Sequence, residues 1–200
     1  MKNLHTGFCR LLATAATAAA LTLPAAAIAQ DHEVAEPLTE LANGTLQEVA
    51  THPVVIDAIR KQNEQTAGYD AARIEQLDSQ WRAEVGAASK PLIDATLATD
   101  ASIVLKQIQD ESAGLITELF VMDALGLNVA QSTVTSDYWQ GDEEKFSLSY
   151  GAGADGINFG EIEEDESTQT FQSQVSITIV DPDSGAPIGA VTAGVDLSML

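Results

Sequence analysis

The two segments that end the chain constrain its fold most. From Phe171 to Val180, apolar and polar side chains alternate, a period typical of a β-strand with one buried face. A turn containing Pro182 and Gly185 then leads into a second apolar run, from Ile188 to Leu197. The two segments predict an antiparallel hairpin. An isolated hairpin is only marginally stable in water and needs further strands or packing against another layer. We therefore expect the rest of the chain to supply more strands and a layer that covers the sheet.

The preceding residues predict that layer and the remaining strands. Between residues 54 and 111, apolar side chains recur at helical spacing, and Trp81 belongs to a stripe along one helix face (Ile74, Leu77, Trp81 and Val85). We expect Trp81 to pack on the sheet against Val175 and Ile177. Further strands are predicted by three apolar runs: Leu115 to Asp123, Leu127 to Gln131 and Ile157 to Ile162. A loop and a short helix are expected between residues 136 and 149. The predicted fold class is α+β, with N-terminal helices packed on roughly five antiparallel strands.

The first 29 residues have the three-part pattern of a secretory signal peptide. Lys2 and Arg10 precede an uncharged run that ends in Ala27-Ile28-Ala29, a small-residue cleavage site. The pattern predicts cleavage before Gln30 and a periplasmic or secreted protein. An uncleaved membrane anchor is the alternative. It is disfavoured because Pro24 interrupts a run that barely reaches the length of a bilayer span.

The domain organisation predicted from these patterns has three parts. Residues 1–29 are the signal peptide, and residues 30–52 form a tail with a short helix, because residues 30–44 are polar and end in the turn signal Asn43-Gly44. Residues 53–200 form a single domain. Its helical half covers 53–112 and its sheet half covers 113–200.

Composition excludes several classes of function. The chain has 30 Asp and Glu residues against 9 Lys and Arg residues, a net charge of −21, so binding to nucleic acid is not expected. The one cysteine, Cys9, lies in the signal peptide, and the mature chain therefore has no disulfide or thiolate site. The sequence has no G-x-S-x-G, H-E-x-x-H or glycine-rich phosphate motif. Neither an enzymatic activity nor a cofactor is predicted.

Several segments, taken in order, resemble the extracytoplasmic PAS-like sensor domains called Cache or PDC. The predicted hairpin carries the spacing of the family's D-x-x-G turn at Asp123 and Gly126. An aromatic pair follows at Tyr138 and Trp139, and the last strand reads I-G-x-x-x-x-G-V-D from Ile188 onward. The resemblance covers roughly residues 53 to 198. It implies a PAS/Cache-like sheet, binding of a small molecule, and a membrane receptor as partner.

The resemblance also implies a place for the ligand, between the polar face of the sheet and the segment 136–140. The candidate ligand-binding residues are Asp137, Tyr138, Trp139, Gln172, Gln174 and Asp196. Two alternatives stay open, since Tyr138 and Trp139 also suit a role as lids on the core, and Asp196 suits a cap at the strand end.

The charge of this region predicts the ligand's chemistry. Members of the family that bind amino acids or carboxylates place a basic residue beside the aromatic pair, and this sequence has none there. Residues 146–200 contain nine acidic residues and no Lys or Arg. A neutral or cationic ligand is therefore predicted, with an amine stacked on the aromatic pair.

A second function is compatible with the same residues. The chain would then be a secreted structural or divalent-cation-binding domain of the same fold, without an organic ligand. The acidic run offers Glu161, Glu163 and Asp165 as weak candidates for metal ligands, because calcium and magnesium prefer oxygen donors. Runs of this kind are more often solvated surface.

Overall fold

A computed structural model describes residues 35–165 and 170–200, with only the backbone of Asp165. The predicted signal peptide lies outside these ranges. Five helices come first: α1 covers residues 35–51 and includes the π-helical turn Ala42–Leu46, and it is followed by α2 (Pro53–Thr66), α3 (Ala71–Val85), α4 (Pro91–Leu97) and α5 (Asp100–Glu111).

The starts of these helices follow from the sequence. Helices α2 and α4 begin with proline, whose missing N–H would have no partner in a first turn. Helices α3 and α5 begin after Asp70 and Thr99, whose side chains accept the free N–H groups of Arg73 and Ser102. Local chemistry therefore fixes where each helix begins.

A six-stranded antiparallel sheet follows. The strands are β1 (Ile116–Asp123), β2 (Asn128–Gln131), β3 (Ile157–Phe159), β4 (Glu163–Asp165), β5 (Thr170–Val180) and β6 (Pro187–Asp196), and the short helix α6 (Glu144–Ser147) lies between β2 and β3. The spatial order is β2-β1-β6-β5-β3, and β4 pairs with β5 farther along the β3 edge. The predicted α+β fold is confirmed. The run from Ile157 to Ile162, predicted as one strand, contains β3 and ends before β4.

The main core lies between one face of the sheet and helices α1, α2 and α5. Val175, Ile177 and Val191 face the helices from β5 and β6 and are fully buried or nearly so. The structure corrects the predicted tail from residue 35 onward, because Leu38 and Leu41 of α1 are buried in this core. Asn43-Gly44, the expected turn, lies inside the π-helical segment of a continuing helix.

A second core forms between α3, α4 and the β2 edge of the sheet. Trp81 is completely buried there, as predicted, but the expected contact with Val175 and Ile177 is wrong because those residues belong to the main core. Trp81 stacks on Tyr138 with ring centres 5.2 Å apart, and its indole N–H donates to the carbonyl of Thr135 at 2.9 Å.

Within the described residues, the helices are all too short or too polar to cross a lipid bilayer.

Candidate functional site

The hairpin that carries the D-x-x-G spacing is held by a buried carboxylate. One oxygen of Asp123 accepts the backbone N–H groups of Leu125 and Leu127, and the other accepts from the side chains of Gln62 and Thr66 on α2. These contacts fasten the turn to the helical layer. The motif residue Asp123 therefore has a structural role.

Gly126 is required in the same turn. Its φ of +80° lies in the left-handed region, and a Cβ there would be 2.6 Å from the Cα of Gly141. The close approach brings the segment that follows β2 back against the hairpin.

The aromatic pair is anchored to helix α3. The buried carboxylate of Asp78 accepts the backbone N–H groups of Tyr138 and Trp139 at 2.9 and 3.1 Å, and it forms an ion pair with Arg82 at 2.5 Å. Trp139 donates its indole N–H to Leu125 at 2.8 Å. Both aromatic side chains therefore pack in the second core.

The electrostatics of Tyr138 reflect this position. Burial raises its pKa to about 12, and the negative charge of Asp123 acts in the same direction.

Asp137 lies nearby on the surface, where its carboxylate accepts hydrogen bonds from the hydroxyl of Ser136 and from the guanidinium of Arg82, the latter at 3.4 Å.

A polar groove of about 290 Å³ opens on the sheet face opposite the main core. Strands β1, β5 and β6 form its floor, and α6 together with the β3–β4 edge forms its walls. We call it the sheet groove, and its lining residues are Glu118, Glu143, Lys145, Gly160, Glu161, Glu163, Gln172, Ser173, Gln174 and Gly194.

The floor of the sheet groove is built around Glu118 and Gln174, which lie on β1 and β5 on either side of β6. The side-chain amide of Gln174 donates to the carboxylate of Glu118 at 3.0 Å. Gly194 is the register partner of both residues, and a Cβ there would be 2.8 Å from Cγ of Glu118. The carboxylate reaches across β6 because residue 194 has no side chain.

Among the described residues that line the sheet groove, Lys145 is the one cation, and it already has partners. The ammonium of Lys145 lies 2.8 Å from a carboxylate oxygen of Glu143, donates to Gln140 at 3.3 Å, and lies 5.6 Å from the ring centre of Phe120. Four glutamates and one paired lysine line the groove. Its electrostatics therefore favour a positive charge over a negative one.

The sequence-predicted site residues fall into separate places. Gln172 and Gln174 line the sheet groove, and Asp137, Tyr138 and Trp139 lie apart from it. Asp196 is the register partner of Gln172, and its carboxylate accepts from the N–H and hydroxyl of Ser198.

The structure describes the side chains of two of the three residues that were predicted as weak candidates for metal ligands. Glu161 and Glu163 line the sheet groove, while the side chain of Asp165 lies outside the described part of the chain. Within that part, no three or more His, Cys, Asp or Glu side chains are grouped so that they could hold a metal ion.

Sequence reasoning missed Glu118 as a residue that shapes the groove. Glu118 offered a signal, because it is the one charged residue in the run from Leu115 to Met122. Gly194 was noticed only as a position of the I-G-x-x-x-x-G-V-D pattern, and its role beside Glu118 depends on the register of β1 and β6.

Comparisons with known proteins gave matches among solved structures only. No protein-family model matches the chain, and no curated protein matches it. The sensor domain of Escherichia coli DcuS has 14% identity and a TM-score of 0.48, covering 83% of this chain and 93% of that one. The sensor domain of the Vibrio cholerae histidine kinase DctB has 12% identity and a TM-score of 0.45; the match covers 87% of this chain and 57% of that one.

A chemoreceptor domain is also similar. The ligand-binding domain of Pseudomonas aeruginosa PctC, solved in complex with GABA, has 11% identity and a TM-score of 0.40, covering 81% of this chain and 62% of that one. Each of these three solved structures is a sensor domain or a ligand-binding domain.

Proposed function

We propose that this protein is an exported, small-ligand-binding domain of the sensor type, and that the sheet groove receives the ligand. The charge balance of the groove is the observation that supports this most, because four glutamates face one lysine that is already paired. A carboxylate ligand would meet like charges. A cationic or neutral molecule would meet carboxylate and amide partners.

The size of the groove fits a small metabolite. Its volume of about 290 Å³ lies just below the range for small-molecule sites, which is roughly 300–1,000 Å³, so it suits only a small molecule. An ammonium bound to Glu118 would form a charge-assisted hydrogen bond, a contact worth about 1.5–3 kcal/mol. Gln172 and Gln174 add donors and acceptors that can orient a polar ligand.

The proposed role extends to a membrane partner. Export is proposed from the signal pattern at residues 1–29, and the ligand state would be passed to a membrane receptor. The walls of the groove suit such a relay, because α6 and the β3–β4 edge are short elements that can respond to an occupant.

A thermal-shift screen tests the proposal. Amines, nucleobases, sugars, carboxylates and divalent cations are each added to the full mature chain. A ligand present at 100 times its Kd stabilises the folded state by about 2.7 kcal/mol, which raises Tm by several degrees. We expect amines or neutral compounds to raise Tm, and Glu118→Gln to reduce the shift. Glu64→Gln, at an exposed position of α2, is the matched control and should respond as the wild type does.

Three outcomes would contradict parts of the proposal. A shift with dicarboxylates and none with amines would refute the charge argument. A shift with calcium or magnesium alone would favour the secreted structural or cation-binding domain. An amine shift that Glu118→Gln leaves unchanged would show that the ligand binds outside the sheet groove.

A further inference from the structure

Strand β3 leaves one edge of the sheet open. The N–H of Thr178 donates to Gly156 at 3.0 Å, and the N–H of Gly160 donates to Gln174 at 2.7 Å. Because antiparallel ladders alternate, the backbone groups of Ile157 and Phe159 point away from β5. In the described ranges, no strand pairs with that outer side.

Four apolar side chains lie beside this open edge. Register pairs Ile157 and Phe159 with core residues of β5, so their side chains lie on the face that the helices cover elsewhere. Strand alternation in β5 places Phe171 on this face as well, and Ile162 is exposed in the connection between β3 and β4. We call the set the edge patch; its members are 44 to 53% exposed and comprise Ile157, Phe159, Ile162 and Phe171.

Such an edge is usually protected. Soluble proteins place lysine, proline or a covering loop on open strands to prevent pairing with another chain. The three residues of β3 include no charge and no proline. When an extended peptide adds a strand to a sheet, it binds unpaired backbone groups at an open edge and places its side chains against neighbouring apolar surface. The outer edge of β3 offers both features.

The surroundings of the edge are acidic. Glu161, Glu163 and Glu164 are exposed along the same edge, and residues 146–200 contain no Lys or Arg. Glu163 faces the groove side of the sheet, since it pairs with Gln172. Glu164 pairs with Phe171 and lies on the face of the edge patch. An added strand would therefore meet apolar side chains beside one carboxylate on one face, and the carboxylates of Glu161 and Glu163 on the other.

We propose that the outer edge of β3 docks an extended segment of another protein, in which apolar residues alternate with lysine or arginine. The segment adds a strand to the sheet. Its apolar side chains cover the edge patch, and its basic side chains approach Glu161 and Glu163 on the opposite face. The proposal stands independently of any ligand in the sheet groove.

A second copy of this chain is a poorer occupant. Pairing β3 with its own copy would bring two acidic edges, each carrying Glu161 to Glu164, into one interface. The chain's net charge of −21 adds a longer-range repulsion.

The test uses a labelled nine-residue peptide of alternating valine and lysine, titrated into the full mature chain and followed by fluorescence anisotropy. Phe159→Lys and Ile157→Lys should each weaken binding at least tenfold. Ile103→Lys is the matched control, because Ile103 is 59% exposed on α5, away from the edge. It should bind as the wild type does. Melting curves verify that each variant is folded.

Two peptide controls separate strand addition from simple charge attraction. A peptide of alternating valine and glutamate should not bind. The valine–lysine peptide with every internal nitrogen methylated keeps its side chains and charge but loses its backbone donors, and it should bind at least tenfold more weakly.

Three results would overturn the proposal. Equal binding of the methylated peptide, or of the Phe159→Lys variant, would show attraction to the acidic surface alone. No binding of the valine–lysine peptide would show that the edge does not accept this chemistry. Self-association in sedimentation experiments that Phe159→Lys abolishes would identify a second copy as the occupant.

Discussion

The guanidinium of Arg60 donates to the carboxylate of Asp181 at 2.6 Å and fastens helix α2 to the turn between β5 and β6. Asp181 also accepts the backbone N–H groups of Asp183 and Ser184. The hydrogen bond from Arg60 is the main reason that the pKa of Asp181 lies well below its usual range. The two backbone N–H donors lower this pKa further.

This ion pair predicts a pH dependence of stability. Because the folded state lowers the pKa of Asp181, its contribution is fully present above the unfolded value of about 3.9 and is lost as the pH falls below that value. Urea midpoints should therefore differ between wild type and Asp181→Asn at pH 7, and the difference should shrink between pH 4 and pH 2. Asp57→Asn is the control, since Asp57 lies 3.9 Å from Arg60 and is exposed. A constant difference across this range would contradict the prediction.

Replacement of Trp81 should cost much of the stability. Trp81→Ala removes a fully buried ring that stacks on Tyr138, and a large buried aromatic costs about 3–5 kcal/mol when truncated. Urea unfolding measures the loss. Val85→Ala on the same helix, at a side chain that is 40% exposed, should cost far less. Equal midpoints for wild type and Trp81→Ala would rule out this packing.

Tyr138 should lose its proton only at high pH. Burial raises its pKa to about 12, so its contribution to stability is complete below the unfolded value of about 10 and is lost as the pH rises towards 12. Absorbance titration at the phenolate band should show a step near pH 12 that Tyr138→Phe removes. A wild-type curve with every tyrosine titrating near pH 10 while the protein is folded would refute this environment.

Two glycines with positive φ should respond differently to alanine. Gly126→Ala combines backbone strain with a 2.6 Å approach to Gly141, whereas Gly153 has a φ of +99° and open space where a Cβ would lie. Gly153, with a ψ of −163°, lies in a region that essentially only glycine adopts, so Gly153→Ala should cost about 1–3 kcal/mol from strain alone. Gly126→Ala should cost more, because steric overlap adds to its strain. Thermal unfolding compares the two. The reverse order would show that the hairpin can yield to the added methyl group.

Processing can be tested directly. N-terminal sequencing of the exported protein should start at Gln30, because the site after Ala29 follows an apolar run of signal-peptide type. A sequence starting at Met1 would support the anchored alternative.

Much of the sheet could be predicted because strand signals are local. The alternation from Phe171 to Val180 and the turn after it are visible within ten residues, and the structure has both strands close to the expected bounds. The first part of helix α1 was predicted as a tail because Pro37 and Asn43-Gly44 are local signals for a turn. They are outweighed by the burial of Leu38 and Leu41, which depends on a sheet formed much later in the chain.

The candidate site shows the same division. Strand alternation predicted that Gln172 and Gln174 lie on the polar face of the sheet, and both residues line the sheet groove. Tyr138 and Trp139 were expected in the site, but a carboxylate 60 residues earlier, Asp78, draws their backbone into the second core. Periodicity does not encode a contact of that kind. It requires knowing which helix lies beside which strand edge.

The hydrogen bond between Gln174 and Glu118 lies on the floor of the sheet groove, which differs in local stability from the wall formed by α6. Both residues belong to strands that are paired on both sides, so amide hydrogens there should exchange with solvent slowly. Glu143 and Lys145 lie on or beside the four-residue helix α6, where local opening takes far less free energy. Substitutions in α6 would therefore change the shape of the groove, and also its charge through Glu143 and Lys145, while Glu118 and Gln174 stay in the sheet.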